Sequence, residues 1–219
     1  MSLASLYVGW LFREIVYDIE WTKVFKERDE VIAKESAIEE KIRQSSRKLR
    51  YQEVSPDRKH VVRMYEMPFH PGLNDHYYDY LSSQFFLAVG DEDSKREQYI
   101  FVADYKSGNP HWLDNGYVYF TAGCGTACQG LYLVNTGNKA SKLGVLSYIF
   151  SDDRGIWKTY FKDWFHQEFT FDGLVDDIKA ELLDGNAYLI FAMKDDKKNS
   201  LGHKRFLFSG ESLTEMHDQ

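Results

Sequence analysis

Cys124 and Cys128 are the only two cysteines of the chain, and they stand in "GCGTACQG" among Gly123, Gly125 and Gly130. Paired sulfurs can carry out redox exchange, hold a metal, or staple a turn. The C-x-x-C spacing that tunes redox thiols is absent, because three residues intervene. A zinc site needs two further ligands, and no second cysteine pair exists. The favoured reading is a disulfide within the loop, with the flanking glycines letting the backbone close a small ring. So short a ring contributes about 2 kcal/mol by loop closure. Two free thiols, or metal and redox work, are the competing readings. A disulfide would place the domain outside the reducing cytosol.

The histidines come next. His70, His76 and Asp79 lie close together in sequence, with His111 further on. Converging in a cleft, they would make a hydrolase, with or without zinc, although their spacing matches no compact ligand pattern. Asp91-Glu92-Asp93, Asp152-Asp153, Asp176-Asp177 and Asp195-Asp196 read as solvated acidic turns, without the glycine and distal glutamate of a calcium loop. There is no G-x-S-x-G elbow, phosphate-cradling glycine loop or H-E-x-x-H helix. Paired carboxylates for acid–base work cannot be picked out from sequence. No catalytic residue, cofactor or metal is assigned, and a non-catalytic role is the expectation.

Aromatic residues are the other candidates, at 16% of the chain. In "SDDRGIWKTYFKDWFHQEF" (151–169), Trp157, Tyr160, Phe161, Trp164 and Phe165 recur at spacings of three and four. That spacing predicts a helix with all five on one face, serving either to plug a β core or to meet a partner. A second cluster, Tyr77, Tyr78 and Tyr80, lies in "MPFHPGLNDHYYDYLSS" (67–83), which holds half of the four prolines. Both stretches read as insertions in a chain of strands.

The elements that must position these residues are mostly strands. From residue 51 on, short aliphatic and aromatic runs alternate with Gly, Asn and Asp: "KHVVRMYEM", "QFFLAVG", "EQYIFVADY", "GYVYFTAG", "GLYLVNT", "LGVLSYIF", "AYLIFAMK" and "KRFLFSG". Bounded in this way, they predict antiparallel strands joined by hairpins. A parallel α/β fold would need helices between them. The run repeats itself loosely. "SPDRKHVVRMY" from Ser55, "LDNGYVYF" from Leu113 and "LDGNAYLIF" from Leu183 each send an Asp-containing turn into a strand. These segments resemble β-propeller blades of the TolB or WD-like kind. Closed propellers use roughly four to eight blades, and about three units fit here. The resemblance therefore implies an open meander or sandwich, or closure by another chain.

Residues 1–50 differ in texture. They contain no proline and one glycine, and "KERDEVIAKESAIEEKIRQSSRKLR" mixes charges at helical spacing. The expectation is an N-terminal helix or stalk over 1–50, followed by a β domain over 51–219. Residues 3–12 are almost wholly apolar. That run is shorter than the roughly twenty residues that cross a bilayer, and no signal-peptide cleavage site follows it. It reads either as the end of a membrane anchor, with Tyr7 and Trp10 at the interface, or as the start of a buried helix. The formal charge of −7 falls on the β part, which argues against nucleic acid as a partner. Together these readings point to an extracytoplasmic, membrane-tethered domain that binds a protein or an envelope component. The runners-up are a hydrolase and a cytosolic scaffold.

Overall fold

The computed structural model describes residues 47–68, 83–91, 97–103, 108–125, 127–138, 141–151 and 156–217. They are mainly β, every strand pairing is antiparallel, and no described residue is helical. The helix expected at the N-terminus, the apolar run 3–12, His70, His76, Asp79 and Tyr77, Tyr78 and Tyr80 lie outside the described residues.

The strands form three meander sheets in chain order. The first contains β1 (Lys48–Val54), β2 (His60–Pro68), β3 (Ser83–Asp91) and β4 (Glu97–Ala103). The second contains β5 (His111–Trp112), β6 (Tyr117–Gly125), β7 (Cys128–Asn135), β8 (Ser141–Ser151), β9 (Ile156–Lys162) and β10 (Glu168–Asp172). The third contains β11 (Leu174–Leu183), β12 (Asn186–Lys194), β13 (Ser200–Phe208) and β14 (Leu213–Met216). In each sheet, the repeated Asp-containing segment forms the turn between the first and second strands.

Side chains dictate those turns. In the first sheet, the Ser55 hydroxyl accepts from the His60 amide at 3.0 Å and donates to Asp57, which accepts from the Lys59 amide. In the second sheet, Asp114 accepts from the amides of Gly116 and Tyr117 at 2.7 and 2.8 Å. In the third, Asp184 and Gly185 both take positive φ, the two-residue hairpin geometry that Asp-Gly favours. The first two turns also touch, as the Asp57 amide donates to the Asn115 side chain.

Alternation along β12 buries Ala187, Leu189, Phe191 and Met193, the period of two that a half-buried strand requires. These residues join a core shared by the second and third sheets, in which Phe161, Phe171, Phe191 and Phe206 meet mostly edge-to-face. Such ring pairs add about 0.5–1.5 kcal/mol each beyond the area they bury. A smaller cluster of Met64, Leu87, Phe120 and Val134 packs the first sheet against the second.

The stretch 151–169 departs from its expected form. Residues 156–162 are strand β9, paired with β8 on one side and β10 on the other, so the five aromatics share no helical face. Spacings of three and four fit a helix, but Ile, Trp, Thr, Tyr and Phe at 156–161 are also strand formers. Pairing with the long β8 decides the outcome. The three-four spacing was inherited from two different structures, a strand and the turn that follows it. Compared with the two four-stranded sheets, β9 and β10 are an extra hairpin on the middle sheet. Asp176-Asp177 is likewise no turn, since both residues lie within β11.

Candidate functional site

The β9–β10 turn is built by Asp163, whose side chain is fully buried. Its Oδ1 accepts from the amides of Phe165 and Gln167, each at 2.9 Å, and its Oδ2 accepts from Gln167 Nε2 at 2.9 Å. His166 takes a φ of 63°. The turn between β12 and β13 repeats this arrangement. There, Asp195 accepts from the amides of Lys197 and Asn199 and from Asn199 Nδ2, and Lys198 takes a φ of 67°. The two turns therefore share one backbone and one capping carboxylate. At the two positions after that Asp, one turn has Asp196 and Lys197 and the other has Trp164 and Phe165.

Charged residues are the ordinary choice at an exposed tip, and two large rings there are not. Phe165 is 47% exposed. Trp164 is half-buried against the core shared by the second and third sheets. Lys142, on β8, places its Nζ 4.8 Å from the Phe165 ring centre and 5.8 Å from that of Trp164. The same ammonium donates to the Gly210 carbonyl at 2.9 Å. Loss of water pulls the Lys142 pKa below its ordinary value, against the opposing pull of Glu211 and Asp163. The ammonium thus lies beside both rings and is partly stripped of water.

The other expected aromatics are dispersed. Phe161 is 1% exposed and belongs to the core. Tyr160, next to it on the strand, points to the opposite face and is half-buried. Trp157 pairs across to Phe150 on β8, and their rings sit edge-to-face at 5.5 Å. Of the five, only Trp164 and Phe165 sit together at the turn.

Of the histidines named from the sequence, His111 alone lies among the described residues. Its Nδ1 sits 2.7 Å from Glu53 Oε2, and that oxygen also receives the Tyr51 hydroxyl at 2.6 Å. The Trp112 amide donates to the other Glu53 oxygen. Burial alone would raise the Glu53 pKa, but the bonds from His111, Tyr51 and the Trp112 amide outweigh it and hold the group below its ordinary value. A carboxylate in that state accepts a proton-bearing Nδ1. Burial and the Glu53 hydrogen bond push the Tyr51 phenol well up. Sequence gave no sign of Glu53, because it meets His111 only through the packing of β1 against β5.

His111 lines a cleft of about 190 Å³ between the second sheet and β11, together with Tyr119, Thr121, Gln129, Asp176 and Asp177. The Tyr119 hydroxyl links β6 to β11 by donating to the Ile178 carbonyl at 3.2 Å. Among the described residues no group of three or more His, Cys, Asp and Glu is arranged to hold a metal ion.

Cys124 and Cys128 flank the β6–β7 connection. Gly125 pairs with Cys128, and the register slips between Gly123 and Gly125, which leaves Cys124 as the extra residue of a bulge. Cys128 is half-buried and is not a free thiol. The Cys124 side chain lies outside the described residues.

No family model matches the chain. No curated protein matches it either. Among solved structures, TolB from Acinetobacter baumannii is similar over 60% of this chain and 37% of that one, at 14% identity and a TM-score of 0.32. The chain thus spans little more than a third of that structure's length. So low a likeness carries no argument, and fold and site stand on the chain's own strands and side chains.

Proposed function

We propose that the β body is a non-catalytic recognition domain that binds another protein or an envelope component through the β9–β10 turn. The single observation that carries this reading is the contrast between two turns of one design. Where the β12–β13 turn presents Asp196 and Lys197, the β9–β10 turn presents Trp164 and Phe165 beside a partly desolvated Lys142. Aromatic side chains, Trp above all, are enriched in the buried centres of binding interfaces. The hairpin that bears them is an addition to the four-stranded pattern of the other two sheets.

The same proposal places the domain outside the reducing cytosol, tethered through the apolar N-terminal run, with Cys124 and Cys128 bridged at the β6–β7 connection. Such a bridge would pin a bulged hairpin end in a compartment where disulfides persist.

Alanine substitutions separate binding from folding. Phe165→Ala removes an exposed ring, so stability is expected to change by no more than about 0.5 kcal/mol. Trp164→Ala also removes core contacts and is expected to cost about 2 kcal/mol. The wild type is expected to run in a high-mass complex on size-exclusion chromatography of native-host extracts, and Phe165→Ala is expected to lose that complex at an unchanged melting temperature. A complex that survives in both variants would refute the turn as the contact.

A further inference from the structure

Successive turns of a meander alternate between the two ends of its sheet, and contacts between turns show which of them share an end. The Asp57 amide of the β1–β2 turn donates to Asn115 of the β5–β6 turn at 3.0 Å. The Thr136 amide, after β7, donates to the Gly116 carbonyl of that same β5–β6 turn at 2.9 Å. Lys142, near the start of β8, reaches Phe165 of the β9–β10 turn and Gly210 of the β13–β14 turn. These turns therefore lie at one end, the end that bears Trp164 and Phe165. The start of β1 at Lys48, the end of β8, the β10–β11 junction and the β12–β13 turn lie at the other.

That other end carries an apolar strip that the aromatic turn does not explain. Phe150 is 46% exposed and Leu201 is 51% exposed. Trp157, half-buried, links the two. Its ring meets that of Phe150 edge-to-face, and its carbonyl accepts from the Gly173 amide. Leu201 rests against this glycine, where a Cβ would come within 2.5 Å of the leucine Cδ1. The strip thus crosses from the second sheet to the third. Charges beside it cancel: Lys158 pairs with Asp172 and Lys194 with Asp176, while Lys197 and Lys198 follow Asp195 and Asp196. An exposed apolar strip with a polar rim marks a contact with protein or with lipid.

The point where the chain enters favours lipid. The described residues begin at this end of β1, and the residues ahead of them include the apolar run 3–12. We propose that this end of the β body rests on a bilayer surface, with Phe150, Trp157 and Leu201 seated in the lipid interface. The proposal rests on the tethered reading of the N-terminal run. An indole suits that layer, because it joins a large apolar body to a polar N–H. So few side chains bind a bilayer weakly by themselves, but a tether raises their effective concentration to roughly millimolar. The β9–β10 turn is then directed away from the bilayer and open to its partner.

The test places the full chain on vesicles. The rim is neutral, so these contain phosphatidylcholine without anionic lipid, together with a lipid that bears a nitroxide quencher at headgroup depth. A fluorescent amino acid replaces Leu201 in one variant and Leu183, 45% exposed at the opposite end, in another. Flotation with the vesicles reports the tether, and quenching reports which end meets the lipid. Both variants are expected to float, with loss of emission at position 201 and none at position 183. Phe150→Ser is expected to reduce that loss without reducing flotation. Flotation with no quenching at position 201 gives the strip to a protein partner and overturns the proposal while the tether stands. Equal quenching at both positions, or quenching that Phe150→Ser leaves unchanged, does the same. Protein that does not float overturns the tether and this proposal together.

Discussion

Glu53 illustrates how much a single side chain can carry without any motif to announce it. Three donors converge on its carboxylate, from Tyr51, His111 and the Trp112 amide, and its own backbone carbonyl accepts from the Trp112 indole at 3.0 Å. Because its pKa in the folded protein lies below the ordinary 4.5, the ionised form contributes stability at pH values above 4.5. That contribution fades as pH falls through the lowered folded value. Glu53→Gln is therefore expected to melt below the wild type at neutral pH, with the gap closing as the pH falls below the ordinary carboxylate range. Melting curves of both proteins across that range check this, and a gap of constant size would show that the charge is not what matters. Phe165 and Trp164 were legible in the sequence as candidates but not as a pair. Only the turn separates them from Phe161, which the same spacing had grouped with them and which is core.

The link between the second and third sheets passes through Gly173, which joins β10 to β11 at a φ of 95°. Its amide donates to the Trp157 carbonyl at 2.6 Å, and its carbonyl accepts from the buried Thr159 hydroxyl at 2.8 Å. A Cβ at this position would sit 2.7 Å from the Lys194 carbonyl oxygen. Gly173→Ala thus suffers both a left-handed backbone and a clash with a main chain that cannot move aside. It is expected to cost about 3 kcal/mol, lowering the melting temperature by roughly 5–10 °C. An unchanged melting curve would mean that the two sheets do not depend on this junction. The strands were the most legible elements. β2, β3, β6, β7, β8, β12 and β13 are aliphatic-aromatic runs between turn residues, and their sequence signal is strong. β11 was missed because "LVDDIKAELL" is rich in helix formers and acids. It becomes a strand through its pairing with β12, a tertiary effect that local propensity does not contain. β5 was missed because two residues are too few to show a period.

Across the whole molecule, the loose internal repeat proved to be in register. Each Asp-containing segment opens the second strand of one sheet, so three repeats became three meanders. What the repeat could not show was the addition to the middle sheet, because β9 and β10 have no counterpart to align with. The third sheet's outer face is mixed. Arg205 pairs there with Glu181 at 2.9 Å and stacks over Tyr188, much as the end of a stack presents polar cover to water. The proposed location outside the cytosol makes a chemical prediction of its own. Protein taken from its native host and denatured without reductant is expected to react with no thiol reagent, and after reduction with two equivalents per chain, matching its two cysteines. Two reactive thiols before reduction would return the domain to a reducing compartment.

The recognition role is tested most directly by comparing the two sister turns in the living host. A photo-crosslinking amino acid is placed at Phe165 in one variant and at Lys197, the matching position of the β12–β13 turn, in another. The expected outcome is a discrete adduct of higher mass from position 165 and none from position 197. Equal adducts from both turns, or none from position 165, would contradict the assignment of the aromatic turn as the binding surface.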